Sequence, residues 1–303
     1  MKLFIVVRGA KERTETKCVA IAKELVGEDN VALLNEPSFA EAHIKSMEIG
    51  AGLIGFDYVI FLDADILLIK NNFFETIEEG INKLKDKNFY KFNFTVFDRQ
   101  CIAPVYAGVH IYNIPILKIA VKYKQVAMGA QRPETEVAKL MAKKGYKTYI
   151  AEETIGFHGY EQYYLDMYRT AFVRGVKYKG HWDFYLPTFF KNKECDPDFF
   201  WSYIGLIDGI MSYSEGNTIA SLSKKEYVQK FKSHLNHLGL KEKDALDNSF
   251  ASLNLSDELK KTNPLYEQNK GWLTPVKVGF NETNATRKLI KKIYKRVKAK
   301  LKQ

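Results

Sequence analysis

Two aspartates, Asp63 and Asp65, stand one residue apart directly after a nearly continuous apolar run at 58–62. A run of this kind predicts a strand that is buried on both faces of a mainly parallel sheet. Ligands of open α/β sheets bind at the carboxyl ends of the strands. Two carboxylates at such an end can bind a divalent cation, and the cation can bind a diphosphate. The pair therefore predicts a site for Mn²⁺ or Mg²⁺, although an acidic turn after a core strand would show the same spacing.

The segments around this pair alternate between strand-like apolar runs and helical periodicity. Strands are predicted at 3–7, 30–34 and 58–62, and helices at 14–25, 38–47 and 71–85, with the glycines of 50–55 ending the second helix. This alternation predicts an α/β fold with a mixed, mainly parallel sheet flanked by helices. No G-x-G-x-x-G follows the first strand, so a glycine loop that cradles phosphates is not expected there.

Beyond residue 85 the pattern continues with further strands and helices. Strands are predicted at 89–97, 106–112 and 147–151, a loop at 98–104, and helices at 160–174 and 197–211. From about residue 212 the sequence is polar and less regular, and a helical or irregular region is expected there.

The composition limits the class of protein. The chain has 303 residues, 46% of them hydrophobic, which is enough for one large α/β core with an appended lobe. The three cysteines, Cys18, Cys101 and Cys195, are far apart and form no C-x-x-C pair, which favours a reducing compartment. Only five apolar residues follow Met1-Lys2, fewer than a signal peptide needs. A cytoplasmic protein is expected.

Four blocks of the sequence resemble glycosyltransferases with the GT-A fold. The segment 56–68 looks like their metal-binding strand. The segment 106–113 (Tyr-Ala-Gly-Val-His-Ile-Tyr-Asn) is similar to their strand beside the donor sugar, with Tyr106 in place of an asparagine. The blocks 132–136 (Arg-Pro-Glu-Thr-Glu) and 156–169 resemble a little-characterised bacterial and phage group. The resemblance covers roughly 1–211 and implies a Rossmann-like GT-A domain that binds a nucleotide diphosphate sugar.

Domain boundaries follow from the extent of this resemblance. We expect a catalytic domain at 1–211, with a nucleotide-sugar part at 1–113 and an acceptor part at 114–211. A C-terminal extension at 212–286 and a basic tail at 287–303 would then complete the chain.

The resemblance implies which residues hold the metal. Asp65 is expected to be a direct ligand, while Asp63 binds the metal through water or holds the ribose or sugar of the donor. A histidine from a later loop often adds a ligand in GT-A enzymes. His158 fits this role, with His110 and His181 as alternatives.

Donor and acceptor chemistry requires further side chains. For the nucleotide, Val7 and Arg8 end the first strand, where GT-A enzymes hold the base and ribose, and Lys45 could reach a phosphate. An inverting enzyme needs a carboxylate that deprotonates the acceptor hydroxyl; the candidates are Glu161, Asp98 and Glu153.

A tyrosine stripe follows Glu161. Tyr160, Tyr164 and Tyr168 are spaced four residues apart and would share one face of the helix predicted at 160–174. Such a stripe is typical of core packing, but at a cleft wall it could stack on a sugar ring or on a flipped base.

The positive charge is concentrated at the end of the chain. The net charge is +10, and 287–303 holds nine Lys or Arg residues and no acid, which leaves about +1 for the rest. Ile290, Ile293, Val297 and Leu301 fall at helical spacing, a pattern typical of a helix that binds anionic lipid. A tail that binds nucleic acid, or a solvated one, shows the same charge. Peripheral association with the inner membrane surface is one expectation.

The sequence therefore supports a metal-dependent hexosyl- or pentosyltransferase of bacterial or phage type, with a UDP-sugar as donor and a glycan or lipid-linked glycan as acceptor. A phage-type glycosyltransferase acting on a modified base in DNA is the alternative, and a nucleotidyltransferase is the third. A non-catalytic binding protein would leave the paired carboxylates unexplained.

Overall fold

The computed structural model describes residues 1–36, 38–84, 87–128, 130, 132–216, 224–246, 254 and 257–258. The chain forms two compact units. Among the described residues, the first contains those of 1–162 together with 245–246, 254 and 257–258, and the second contains those of 163–244. The division between the units falls at the end of the sheet, and the domain boundaries expected at 113, 211 and 286 stay predictions. The expected tail at 287–303 and most of the extension at 212–286 lie outside the described residues.

The first unit is built on an eight-stranded sheet. Its strands are β1 (Leu3–Arg8), β2 (Val31–Leu34), β3 (Tyr58–Asp63), β4 (Ile66–Leu68), β5 (Phe89–Asp98), β6 (Ala103–Val105), β7 (Val109–Asn113) and β8 (Lys147–His158). They lie in the order β2-β1-β3-β7-β5-β8-β4, and β6 pairs with β5.

Most strands of this sheet point in one direction. β2, β1 and β3 are parallel neighbours. β7 is antiparallel to both β3 and β5, so β5 points the same way as β3, and β8 is parallel to β5. The short strands β4 and β6 run the other way. The prediction of a mixed, mainly parallel sheet is confirmed, and the carboxyl ends of five strands meet at one edge.

Helices cover both faces of the sheet. They are α1 (Glu15–Val26), α2 (Phe39–Gly52), α3 (Phe73–Asn82), α4 (Ile114–Ala120), α5 (Lys124–Ala127) and α6 (Pro133–Lys143). Successive side chains of a strand point to opposite faces. Ile5 and Val7 accordingly pack with residues of α1 and α3, whereas Val6 and Phe61 pack with residues of α2, α4 and α6.

Two predicted boundaries were wrong for reasons of packing. Glycines were expected to end α2, but some of them lie inside this helix. A Cβ on Gly50 would come within 2.6 Å of Leu117 Cδ2, so the helix keeps glycine there for close packing. β8 was expected to end at 151 but continues to His158. A bulge opposite 93–95 of β5 accommodates Glu152 and Glu153 without ending the strand.

The second unit is helical in its described part. It contains α7 (Tyr164–Lys177), α8 (Trp182–Asn192), α9 (Pro197–Ser214) and α10 (Lys224–Leu238). A Cβ on Gly205 or Gly209 of α9 would come within 2.2 Å of a backbone carbonyl oxygen of α7. Only glycine allows the two helices to pack this closely.

The predicted tyrosine stripe is not one helical face. Tyr160 precedes α7, which begins at Tyr164 rather than at 160. Tyr168 is fully buried and donates a hydrogen bond of 2.5 Å to Asp208 Oδ2, so it belongs to the core of the second unit. Within the described part of the chain, no helix is long and apolar enough to cross a membrane.

Candidate active site

The carboxyl edge of the sheet gathers most of the predicted polar residues. Arg8 lies beside Asp63 in the register of β1 and β3, and Asp98 lies beside His158 in the register of β5 and β8. Ile66, the residue after Asp65, also pairs with His158. Strand pairing therefore brings residues that are up to 150 positions apart in sequence to one edge.

The turn that carries the two aspartates is fixed by backbone hydrogen bonds from three other segments. Asp63 N–H donates to Gly108 O at 2.9 Å, and Ala64 N–H donates to Arg8 O at 3.0 Å. Gly159 N–H donates to Asp65 O at 3.0 Å. The positions of both carboxylates are thus set by the sheet.

His158 lies between two carboxylates, and these three residues are called the histidine group below. His158 Nδ1 lies 2.6 Å from Asp98 Oδ2, and Nε2 lies 3.2 Å from Asp65 Oδ2. Asp98 is almost fully buried and also accepts the N–H of Cys101 at 2.6 Å. Burial opposes a charged imidazole, but Asp65 and Asp98 outweigh burial and raise the pKa of His158 well above its usual value.

Arg8 also lies between two carboxylates, and Arg8, Asp63 and Glu134 are called the arginine group. Arg8 Nη2 lies 2.7 Å from Asp63 Oδ1, and Arg8 Nη1 donates to Glu134 Oε1 at 2.7 Å. The Arg8 side chain is only 3% exposed. Burial raises the pKa of Asp63 to about 6, with Arg8 opposing that shift and Asp65 and Glu134 adding to it.

Two histidines complete the surroundings of Glu134. His110 Nε2 lies 3.1 Å from Glu134 Oε2, and His110 Nδ1 lies 2.8 Å from Asn93 Oδ1. His43 Nδ1 lies 3.9 Å from Glu134 Oε1 and is fully buried. Burial disfavours a charged carboxylate, but His110 and Arg8 outweigh burial and hold the pKa of Glu134 well below its usual value. His110 therefore contacts Glu134 and Asn93, whereas the alternative His181 stacks on Tyr178 in the second unit.

The predicted acceptor base Asp98 has a different environment from the one expected. Its two carboxylate oxygens contact His158 and the Cys101 N–H in the interior. A carboxylate in this position orients the imidazole, as carboxylates do behind metal-binding histidines. His158 itself is the last residue of β8 rather than part of the glycine-rich loop expected after it.

Other predicted residues lie apart from this edge or point away from it. Glu153 pairs with Lys83 at 3.0 Å and precedes His158 by five residues, about 16 Å along a strand. Lys45 pairs with Glu36 on the surface of α2. The Val7 side chain is in the core, so only its backbone could face a ligand.

Glu161 lies three residues after His158. It was expected at the start of a helix, but the structure does not place it there. It lies in a turn with φ of +53°. Its carboxylate pairs with Arg13 Nη1 at 2.8 Å and is 40% exposed. Glu161 is thus the one exposed candidate base within a few residues of His158.

Sequence reasoning did not assign roles to Glu134 and His43. Glu134 lies within the block 132–136, where the proline predicts the first turn of a helix. A glutamate in such a turn is usually a solvated partner of the helix dipole. Its contact with Arg8 depends on α6 crossing the sheet face, which is a tertiary feature.

The side chains of the histidine group are of the kind that bind Mn²⁺ or Mg²⁺ when substrate supplies the remaining ligands. Among the described residues, no three His, Cys, Asp or Glu side chains meet to hold a metal by themselves. Asp65 and the Nε2 atom of His158 are two adjacent donors, with Asp98 orienting the imidazole from the other side. Metals of this class are commonly bound by one or two carboxylates plus substrate phosphates. The residues present therefore fit such an ion.

Comparisons with known proteins give likenesses of structure only. No protein-family model matches the sequence, and no curated protein matches it significantly. One similar structure is a glycosyltransferase involved in the glycosylation of the major capsid of PBCV-1, with 14% identity, a TM-score of 0.38, and 52% of this chain and 94% of that chain covered.

Two further structures show the same range of likeness. The mannosyltransferase PcManGT from Pyrobaculum calidifontis, in complex with GDP-Man and Mn²⁺, has 10% identity, a TM-score of 0.38, and 78% of this chain and 80% of that chain covered. The CMP:2-keto-3-deoxy-manno-octonic acid synthetase complexed with CTP has 11% identity, a TM-score of 0.30, and covers 52% of this chain and 91% of that chain. The similar structures thus include glycosyltransferases.

Proposed function

We propose that this protein is a metal-dependent glycosyltransferase that takes a sugar from a nucleotide diphosphate sugar. The observation that carries the proposal is the pairing of Asp65 with His158 at the carboxyl edge of the sheet, with Asp98 behind the imidazole. Adjacent carboxylate and imidazole donors at this edge are suited to a cation that binds a diphosphate. A UDP-sugar is the donor to be tested first.

The transfer breaks one bond and forms one. The bond between the anomeric carbon and the β-phosphate oxygen breaks, and the nucleoside diphosphate leaves with the electron pair. An acceptor hydroxyl oxygen bonds to the anomeric carbon and gives its proton to a base. When bound, Mn²⁺ or Mg²⁺ supplies neutralisation of the charge that develops on the leaving diphosphate.

The chain's own residues have separate roles in this scheme. Asp65 and His158 hold the cation, and Asp98 orients His158. Asp63, already paired with Arg8, holds the cation through a water molecule or faces the ribose or sugar of the donor. Glu161 is the base in an inverting reaction, because its carboxylate is exposed and follows His158 by three residues.

The nucleotide base has a candidate stacking surface beside Arg8. The ring of Phe39, the first residue of α2, lies 4.9 Å from the Arg8 guanidinium and is 48% exposed. A planar base could stack on its open side. Phe39→Ala should then weaken the binding of a nucleoside diphosphate but leave the binding of Mn²⁺ alone unchanged.

The acceptor is proposed to be a glycan or a lipid-linked glycan. Transfer can be assayed with lipid-linked glycans and with DNA that carries a hydroxymethylated base. Transfer to the DNA alone would replace this acceptor by the phage-type alternative.

The first test is a thermal-shift screen of UDP-, GDP- and CDP-sugars with and without Mn²⁺. We expect a shift that needs both the metal and one class of nucleotide, and Asp65→Asn should remove it while the free protein stays folded with a cooperative melting transition. A shift produced only by a nucleoside triphosphate would instead support a nucleotidyltransferase. Full activity in excess chelator would contradict the metal requirement.

A further inference from the structure

Glu134 is a partly buried carboxylate to which the proposed reaction assigns no role. It is the second residue of α6, behind Pro133, and its side chain is 16% exposed. The other glutamate of this turn, Glu136, is 39% exposed and pairs with Lys139 at 2.7 Å. Two glutamates in one helical turn therefore differ sharply, since one faces the sheet edge and the other faces solvent.

The guanidinium of Arg8 connects Glu134 to Asp63. Its Nη1 contacts Glu134 and its Nη2 contacts Asp63, each at 2.7 Å. A guanidinium is planar and rigid, so the distance between its two terminal nitrogens is fixed and a contact at one restricts where the other can lie. The place at which Glu134 holds Nη1 consequently restricts where Nη2 meets the Asp63 carboxylate.

Because Asp63 and Glu134 share Arg8, these contacts also determine the charge at the carboxyl edge of the sheet. The group contains one permanent cation and two carboxylates, so Asp63 is not fully neutralised while Glu134 binds the same guanidinium. Without Glu134, Arg8 would face Asp63 alone, and the edge would offer less negative charge to a cation.

We propose that Glu134 is a positioning residue for Asp63 that acts through Arg8 and thereby strengthens metal binding at the edge. This inference rests on the proposed function, because Mn²⁺ is its probe. Glu134 does not touch the metal or the donor. Its effect passes through its contact with Arg8, so both its charge and its length matter.

The test compares Mn²⁺ affinity in five proteins. These are the full-length wild type, Glu134→Gln, Glu134→Asp, Arg8→Lys and the matched control Glu136→Gln. The Kd for Mn²⁺ is measured from the electron paramagnetic resonance signal of the free ion, well below the lowest melting temperature of the set. Glu134→Gln keeps the shape of the side chain and an oxygen that accepts from Arg8, so it is expected to fold.

We expect Glu134→Gln, Glu134→Asp and Arg8→Lys each to raise the Kd by about tenfold, a typical size for the loss of one fixed charge contact. Glu136→Gln should bind as the wild type does. Aspartate keeps the charge but is too short to hold Arg8 in place, and lysine lacks the rigid fork of two nitrogens that fixes both carboxylates.

Each other outcome is decisive. If Glu134→Asp binds Mn²⁺ as the wild type does, only the charge matters and positioning through Arg8 is wrong. If the Glu134 variants melt earlier but keep the wild-type Kd, Glu134 is merely structural. If the wild type binds no Mn²⁺ in the absence of nucleotide, this inference fails, while the thermal-shift screen with metal and nucleotide together decides the proposed function separately.

Discussion

The arginine group and the histidine group have the same plan but different cations. In each, one cationic side chain lies between two carboxylates, one from the aspartate pair and one from elsewhere in the chain. Arginine stays charged in proteins, whereas histidine can lose its proton. Asp63 and Asp65 are thus separated by one residue, but the partner of Asp63 keeps its charge whereas the partner of Asp65 can lose its proton.

Because of this difference, the two groups have different roles at the carboxyl edge of the sheet. Arg8 is a permanent partner, so Asp63 is held in place and is available to the donor only through its remaining oxygen. His158 can give up its proton and become a metal ligand beside Asp65. The arginine group therefore fixes the geometry of this edge, and the histidine group can bind an ion there.

The largest expected effect is on stability, in Arg8→Met. Removing Arg8 leaves two carboxylates near each other without their buried cation, and breaking a buried ion pair from one side typically costs about 3–5 kcal/mol. Chemical denaturation measures the loss. Lys23→Met, which breaks an exposed ion pair with Glu28, should leave the denaturation midpoint essentially unchanged. Equal midpoints for both variants would show that Arg8 does not support the fold.

A smaller effect is expected in Gly108→Ala, which disturbs Asp63 directly. Gly108 has φ of +62°, and a Cβ there would come within 2.9 Å of Asp63 Oδ2 and 2.3 Å of Ile66 Cδ1. The matched control is Gly145→Ala, with φ of +91° and open space around the Cβ.

The control should lose about 1–2 kcal/mol from backbone strain alone. Gly108→Ala should lose about 1–3 kcal/mol more, because overpacking adds to that strain. Equal losses in thermal or chemical unfolding would mean that the space beside Asp63 is not tight.

The histidine group is tested by Asp98→Asn. The amide oxygen can still accept from His158 Nδ1, but the charge behind the imidazole is lost, so metal affinity should fall by about tenfold. Mn²⁺ titration measures this, and thermal unfolding shows whether the protein is intact. Glu153→Gln, on the strand β8 that ends at His158, is the control, and we expect no change in affinity. A comparable loss of Mn²⁺ affinity in Glu153→Gln would indicate that Glu153 belongs to the metal site.

The smallest effect is a pH dependence that belongs to the histidine group alone. Since Asp65 and Asp98 raise the pKa of His158 against the effect of burial, a metal must displace a proton there. Apparent affinity should rise with pH, by up to about tenfold per unit below the pKa of His158. Titration above pH 7 keeps Asp63 ionised, since its pKa is about 6.

His158→Gln should flatten this dependence, and an unchanged slope in that variant would assign the proton to another residue. In the metal-free protein the sign is opposite. The protonated histidine stabilises the fold below the ordinary pKa of histidine, and that stabilisation disappears as the pH rises through the raised pKa.

Local sequence predicted the parts of the site that come from one strand and its end. The apolar run before Asp63 and Asp65 defines β3, and the alternation of elements around it defines the α/β class. These features depend on side-chain periodicity, which a sequence displays directly. His158 was also predicted to be a metal ligand, which stays a prediction; it was expected in a loop but is the last residue of β8.

Local sequence failed where a side chain's role depends on what covers it. Asp98 was a candidate base but is buried behind His158, and Glu153 was a candidate base but lies in a bulge far up β8. Tyr160 and Tyr168 were assigned to one helix but belong to different units. None of these outcomes is visible in the spacing of residues, because each depends on strand register or on where a helix begins.

The sequence by itself determined that an acid-tipped strand with a buried centre exists in an α/β sheet, because burial and periodicity are properties of neighbouring residues. Only the tertiary structure decided which cation each aspartate meets. Arg8 reaches Asp63 through the parallel register of β1 and β3, Glu134 reaches Arg8 because α6 crosses that face, and His158 reaches Asp65 through the end of β8. These contacts join residues far apart in the chain, so their charges act on one another only after the sheet has formed.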